Sequence, residues 1–94
     1  MKVRWTTPAL QHLHDAYDYI HLDKPSAAAQ VADRILAASE RLRLFPQMGR
    51  VSKRPGTREL AIAGTPFILV YRVRNGTLEV LALYHGAQNW QQPE

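Results

Sequence analysis

Six cations crowd into residues 50–74: Arg50, Lys53, Arg54, Arg58, Arg72 and Arg74, against the single acid Glu59. The whole 94-residue chain carries a net charge of only +4, so this stretch holds more than the entire excess. Guanidinium and ammonium groups at that density suit a polyanion or an acidic protein surface. A solvated basic loop that keeps the protein in solution accounts for the charge equally well. His12 and His14 stand two positions apart on an expected helix, hence on different faces, and His21 adds nothing specific. Cysteine is absent, which removes disulfides and thiolate zinc sites. No metal and no cofactor are expected.

The elements that must position these groups are readable in part. Asn75-Gly76 is a strong two-residue hairpin signal. Its flanks, Phe67–Val73 and Thr77–Tyr84, are rich in β-branched, aromatic and leucine side chains. A two-residue loop fixes the register. Arg74 falls opposite Thr77, Val73 opposite Leu78, Arg72 opposite Glu79 and Tyr71 opposite Val80. Uninterrupted, the pairing runs on through Val70–Leu81 and Leu69–Ala82 to Phe67–Tyr84. One face is then Phe67, Leu69, Tyr71, Val73, Leu78, Val80, Ala82 and Tyr84, which must be covered. The other begins polar and ends apolar, at Ile68, Val70, Leu81 and Leu83. Arg58–Ala63 reads as a third strand, turned into Phe67 by Gly64-Thr65-Pro66.

Upstream, Val3–Trp5 is a short candidate strand. Thr7 as N-cap with Pro8 in the first turn starts a helix, and Leu10, Leu13, Tyr17 and Ile20 give it one apolar stripe. The segment Asp23–Ser26 breaks it. A second helix carries Ala28, Val31, Ile35, Ala38, Leu42 and Phe45 on one face and ends at Pro46. A short link predicts an antiparallel αα-hairpin covering the apolar face of the sheet. Residues 47–56 read as a basic loop, and the tail from His85 as irregular. One α+β domain spanning 1–94, in the order β-α-α-β-β-β, follows. No apolar run approaches ~18 residues, and the N-terminus lacks a secretory apolar core, so a cytoplasmic protein with no membrane contact is expected.

These pieces, in this order, resemble the toxins of the RelE/ParE superfamily of bacterial type II toxin–antitoxin modules. The matching segments are FPQMGR leaving the second helix, TREL opening the next strand, FILVYRV before the asparagine-glycine turn, and LEVLALYHGAQNW at the end. The terminal HGAQNW and the GR…TREL segment are most similar to the ParE-like branch. The resemblance implies a growth-arresting toxin of the plasmid-stabilisation kind, neutralised in a hetero-oligomer by a co-encoded ParD-like antitoxin. ParE-type members are associated with inhibition of DNA gyrase. RelE-type members cleave mRNA on the ribosome, so a ribosome-dependent endonuclease is the alternative. A toxin-derived scaffold that only binds antitoxin is a third reading.

For a nuclease the resemblance implies candidates Lys53, Arg54, Arg58, Tyr84 and His85, with cations stabilising the phosphorane and the others moving protons. The uninterrupted register sets Arg58 and His85 about seven residues apart along the sheet, or ~20 Å, too far for one phosphate. It also turns Tyr84 into the core. Arg58 shares the parity of Leu60 and Ile62, and is expected to pair with Glu40 or an acid of the first helix, or else to serve function. Binding of target or antitoxin is expected from Arg50, Lys53, Arg54, Arg58, Arg72 and Arg74 at one end of the sheet, and from the apolar set Ile68, Val70, Leu81 and Leu83. Trp90 is expected to plug the tail onto the core.

Overall fold

A computed structural model describes residues 1–86. Strand β1 (Lys2–Trp5) leads into helix α1 (Thr7–Asp23), which is followed by α2 (Pro25–Leu44). Strands β2 (Arg50–Val51), β3 (Arg58–Ala61), β4 (Phe67–Arg74) and β5 (Thr77–His85) complete the order. The sheet runs β1-β5-β4-β3-β2, with β1 parallel to β5 and the remaining pairs antiparallel. This is the expected β-α-α-β-β-β arrangement, with the short strand β2 added inside the segment that reads as a loop.

The N-cap of α1 is Thr6, one residue before the expected Thr7. Its hydroxyl accepts from the Ala9 N–H at 3.3 Å, and its backbone N–H donates to Val80 O at 3.0 Å. The cap therefore also fastens the helix to the edge of β5. Of the expected α1 stripe, Leu13 and Ile20 pack against the core, joined by Ala9 and Ala16, while Leu10 and Tyr17 are exposed. Small alanines allow the closer approach that decides this rotation. In α2 the stripe holds from Ala28 through Leu42, but Phe45 leaves the helix at its C-cap and is 64% exposed.

Asn75 and Gly76 both take positive φ, 52° and 73°, as the tight hairpin turn requires. The expected register holds from Arg74–Thr77 to Tyr71–Val80 and then breaks. Val70 pairs with Ala82, Leu69 with Leu83, Ile68 with Tyr84 and Phe67 with His85. Leu81 is the extra residue of a β-bulge, and a one-residue slip exchanges the faces beyond it. Leu83 thus enters the helix-side core, with Ile35, Leu42, Phe67, Leu69, Tyr71, Leu78 and Val80. Ala82 and Tyr84 move to the outer face. The expected open apolar face does not form: Leu83 and Val70 are buried, and Ile68 and Leu81 are half-buried. Trp90, the HGAQNW motif beyond Gly86 and most of the tail lie outside the described residues.

Candidate functional site

The basic segment 47–56 is an ordered hairpin limb. Ser52 N–H donates to Thr57 O at 3.0 Å and the Thr57 hydroxyl to Arg54 O at 2.8 Å. Lys53 and Arg54 are exposed at its tip. Antiparallel pairing of β3 with β4 brings this tip to the same end of the sheet as the Asn75-Gly76 turn. Arg72 and Arg74 lie there too. Strand β1 adds Lys2 and Arg4, opposite Thr77 and Glu79. Nothing in the local sequence of β1 announces these two, because only its pairing across β5 carries them to the basic end. Arg50 lies further along, level with Glu59 and Val70.

Two acids on the outer face organise these cations. Glu79 is buried between two arginines: Arg4 Nη2 donates to Oε2 at 2.7 Å and Arg72 Nε to Oε1 at 2.7 Å. The hydrogen bond from Arg4, then that from Arg72, holds its carboxyl below the usual range. The expected Arg72–Glu79 cross-strand pair is therefore one half of a triad. Glu59 is only 4% exposed. It accepts from Arg50 Nη2 at 3.0 Å, from the Ser52 hydroxyl at 3.3 Å, and from Tyr84. Burial first, and then the neighbouring carboxylate of Glu59, raises the Tyr84 phenol above its ordinary value. The bulge overturns the core-facing reading of Tyr84: its hydroxyl works on the outer face. Glu59 is the centre of this cluster that the sequence reading does not single out, although its position as the lone acid among six cations is the available signal.

Arg58 pairs with neither Glu40 nor an acid of α1. Its Nη1 donates to Gly49 O at 2.8 Å, and Glu40 pairs with Arg43. Beside it the buried Tyr71 accepts from Gly49 N–H at 2.9 Å and donates to Pro46 O at 2.7 Å. Burial raises the Tyr71 phenol, against smaller lowering by the Gly49 N–H and by Arg58. A groove of about 300 Å³ opens here, lined by Pro46, Gln47, Gly56, Arg58, Tyr71, Arg72 and Val73.

His85 stands opposite Phe67 and Arg58 opposite Tyr71, four positions apart on β4. The gap along the sheet is about 13 Å, shorter than the expected ~20 Å: with Tyr71 opposite Val80 the uninterrupted register itself spans five positions rather than seven, and the bulge removes one more. It is still too long for one phosphate. His85 meets the Phe67 ring edge-on, with centroids 5.8 Å apart. It lines a groove of about 620 Å³ with His12, Asp15, Tyr19 and Tyr84. His12 is engaged there, its Nδ1 accepting the Leu83 N–H at 3.2 Å. No group of three or more metal-binding side chains exists among the described residues.

The arrangement offers a cationic surface at one end of a sheet and a Glu–Arg–Tyr cluster on its outer face. It brings together Lys53, Arg54, Arg72 and Arg74. It separates Arg58 and His85 from each other and from Tyr84.

The sequence profile of the ParE toxins of type II toxin–antitoxin systems, parDE, matches residues 3–90. The chain is 40% identical over 91 residues to Y4kP of Sinorhizobium fredii, by its name a candidate toxin, covering 97% of this chain and 94% of that one. It is 32% identical over 87 residues to toxin RelE2 of Caulobacter vibrioides, covering 93% and 97%. Among solved structures, a chain of the chromosomal ParDE system of P. aeruginosa superposes with a TM-score of 0.76 at 26% identity, covering 90% of this chain and 95% of that one.

Proposed function

This chain belongs to the ParE toxin family of type II toxin–antitoxin systems, and on that premise we propose that it arrests growth by binding DNA gyrase, without catalysing a reaction, and is held inactive by a co-encoded ParD-like antitoxin. The disposition of its cations carries this reading. Arg4 and Arg72 are committed to Glu79 and Arg50 to Glu59, while Arg58 gives one N–H to a backbone carbonyl. Lys53 and Arg54 are exposed at the tip of a hairpin whose base Tyr71 and Arg58 fasten at Pro46 and Gly49. Such a rigid basic prong suits recognition of a large partner, with association that weakens as salt rises. It does not converge on a single phosphate. The ParDE assembly of the P. aeruginosa neighbour supports an antitoxin as the neutralising partner.

The RelE-like alternative, a ribosome-dependent mRNA endonuclease, is favoured by one observation: Tyr84, turned outward by the bulge, meets Glu59 beside Arg50, an acid, a base and a cation within one cluster. The toxin name of the Caulobacter relative points the same way. Induction from a tight promoter separates the readings. Gyrase binding predicts early DNA-damage signalling and filamentous cells while translation continues. Immediate translational arrest with cut messages supports the nuclease instead. No arrest leaves a scaffold that only binds antitoxin.

A further inference from the structure

Helix α2 ends at Leu44, and at the hairpin end the helix-side face is covered at Leu78 but open on the side of β3 and the end of β4. Val73, which alternation assigns to the core, is 48% exposed, and Val51, beside Arg58 in the register, is 72% exposed. Phe45 and Met48, on the segment leaving α2, are also exposed. Val73 lines the groove of about 300 Å³, with Arg58 in its wall and Tyr71 beside it. Arg58 is half-buried, and no ion pair among the described residues includes it. One of its N–H groups goes to Gly49 O, leaving donors of the planar fork for a ligand. A partly desolvated guanidinium with an apolar surround is matched by a carboxylate accepting two parallel bonds.

We propose that this groove is an anchor site for a protein partner, taking a glutamate or aspartate side chain on Arg58 while flanking aliphatic residues cover Val51 and Val73. A phosphodiester backbone fits less well. It would leave the apolar rim wet, and the adjacent Tyr71 hydroxyl is already used as both donor and acceptor. Within the toxin reading, on which the identity of the partner rests, the segment belongs to the neutralising protein. The site itself rests on the geometry alone.

The probe is a short capped peptide with one central glutamate flanked by leucines, titrated into the ¹⁵N-labelled full chain. A glutamine-centred copy and inorganic phosphate serve as comparators. The glutamate peptide should shift the amides of Gly49, Gly56 and Val73 and bind about tenfold or more tightly than the glutamine copy, as expected for a charge-assisted pair. Arg58→Gln should abolish that preference. Arg58→Lys, which keeps the charge but not the fork, should retain part of it, with thermal unfolding confirming that both variants fold. Equal affinity for the two peptides, shifts confined to other surfaces, or tighter binding of phosphate at the same amides would overturn the proposal. Glutamate-selective binding by a chain that arrests no growth would keep the site and remove the toxin reading. Growth arrest without selectivity would do the reverse.

Discussion

Tyr71 is fully buried, yet both hydrogen-bonding roles of its hydroxyl are filled, by Gly49 N–H and Pro46 O. Tyr71→Phe leaves those two backbone groups without a partner, so it should cost about 1–3 kcal/mol in urea unfolding and loosen the segment that carries Lys53 and Arg54. Gly49 has no room for a larger residue: a Cβ there would come 2.6 Å from the Tyr71 hydroxyl and 2.8 Å from Glu59 O. Gly49→Ala should therefore be destabilising despite its small size. Glu79 contributes to the acid side of the stability profile. Unfolded, its carboxyl titrates near about 4.3, whereas in the fold Arg4 and Arg72 hold it lower. The folded state then binds fewer protons across that interval. The stabilisation is complete above the ordinary carboxylate range and is lost as pH falls through the depressed value. Glu79→Gln should flatten this acid limb while the wild-type chain shows it, as read by unfolding midpoints across acidic pH.

At the scale of elements, the bulge at Leu81 decides which side chains reach which face. Deleting Leu81 should restore uninterrupted alternation, drive Tyr84 toward the core and expel Leu83. The expected result is a chain that fails to give a cooperative thermal transition, and a stable fold with a dispersed amide spectrum would contradict the assigned role. The same element shows what a sequence can and cannot disclose. Asn75-Gly76 dictates positive φ locally, so the turn and the first four cross-strand pairs were legible. The bulge has no comparable local signature: Val80, Leu81, Ala82 and Leu83 are all apolar, and either register buries enough of them. What tips the balance is non-local, since Thr6 and His12 engage the β5 backbone at Val80 and Leu83. The rotation of α1 onto Ala9 and Ala16 is likewise set by packing, because Leu10 and Tyr17 supply the same period. At the site, the cations of the hairpin end could be listed from sequence, but not Lys2 and Arg4. Nor could the outward turn of Tyr84, the burial of Glu59 or the carbonyl partner of Arg58.

At the scale of the whole molecule, two helices shield one face of the sheet while the basic hairpin end projects beyond them. No described helix is long and apolar enough to cross a membrane. Lys53 and Arg54 are exposed and remote from the hydrophobic core, so reversing both charges should leave the unfolding midpoint nearly unchanged and weaken growth arrest strongly. Unchanged arrest in the double variant would sink the role given to this hairpin. If the fold acts on gyrase by contact, a supercoiling assay with purified chain, gyrase and relaxed plasmid will register it without the rest of the cell. Supercoiling should fall with increasing chain, and the Lys53→Glu/Arg54→Glu variant should restore it. Full supercoiling in the presence of excess wild-type chain, from a preparation that cuts ribosome-bound message, would contradict the gyrase account and establish the nuclease in its place.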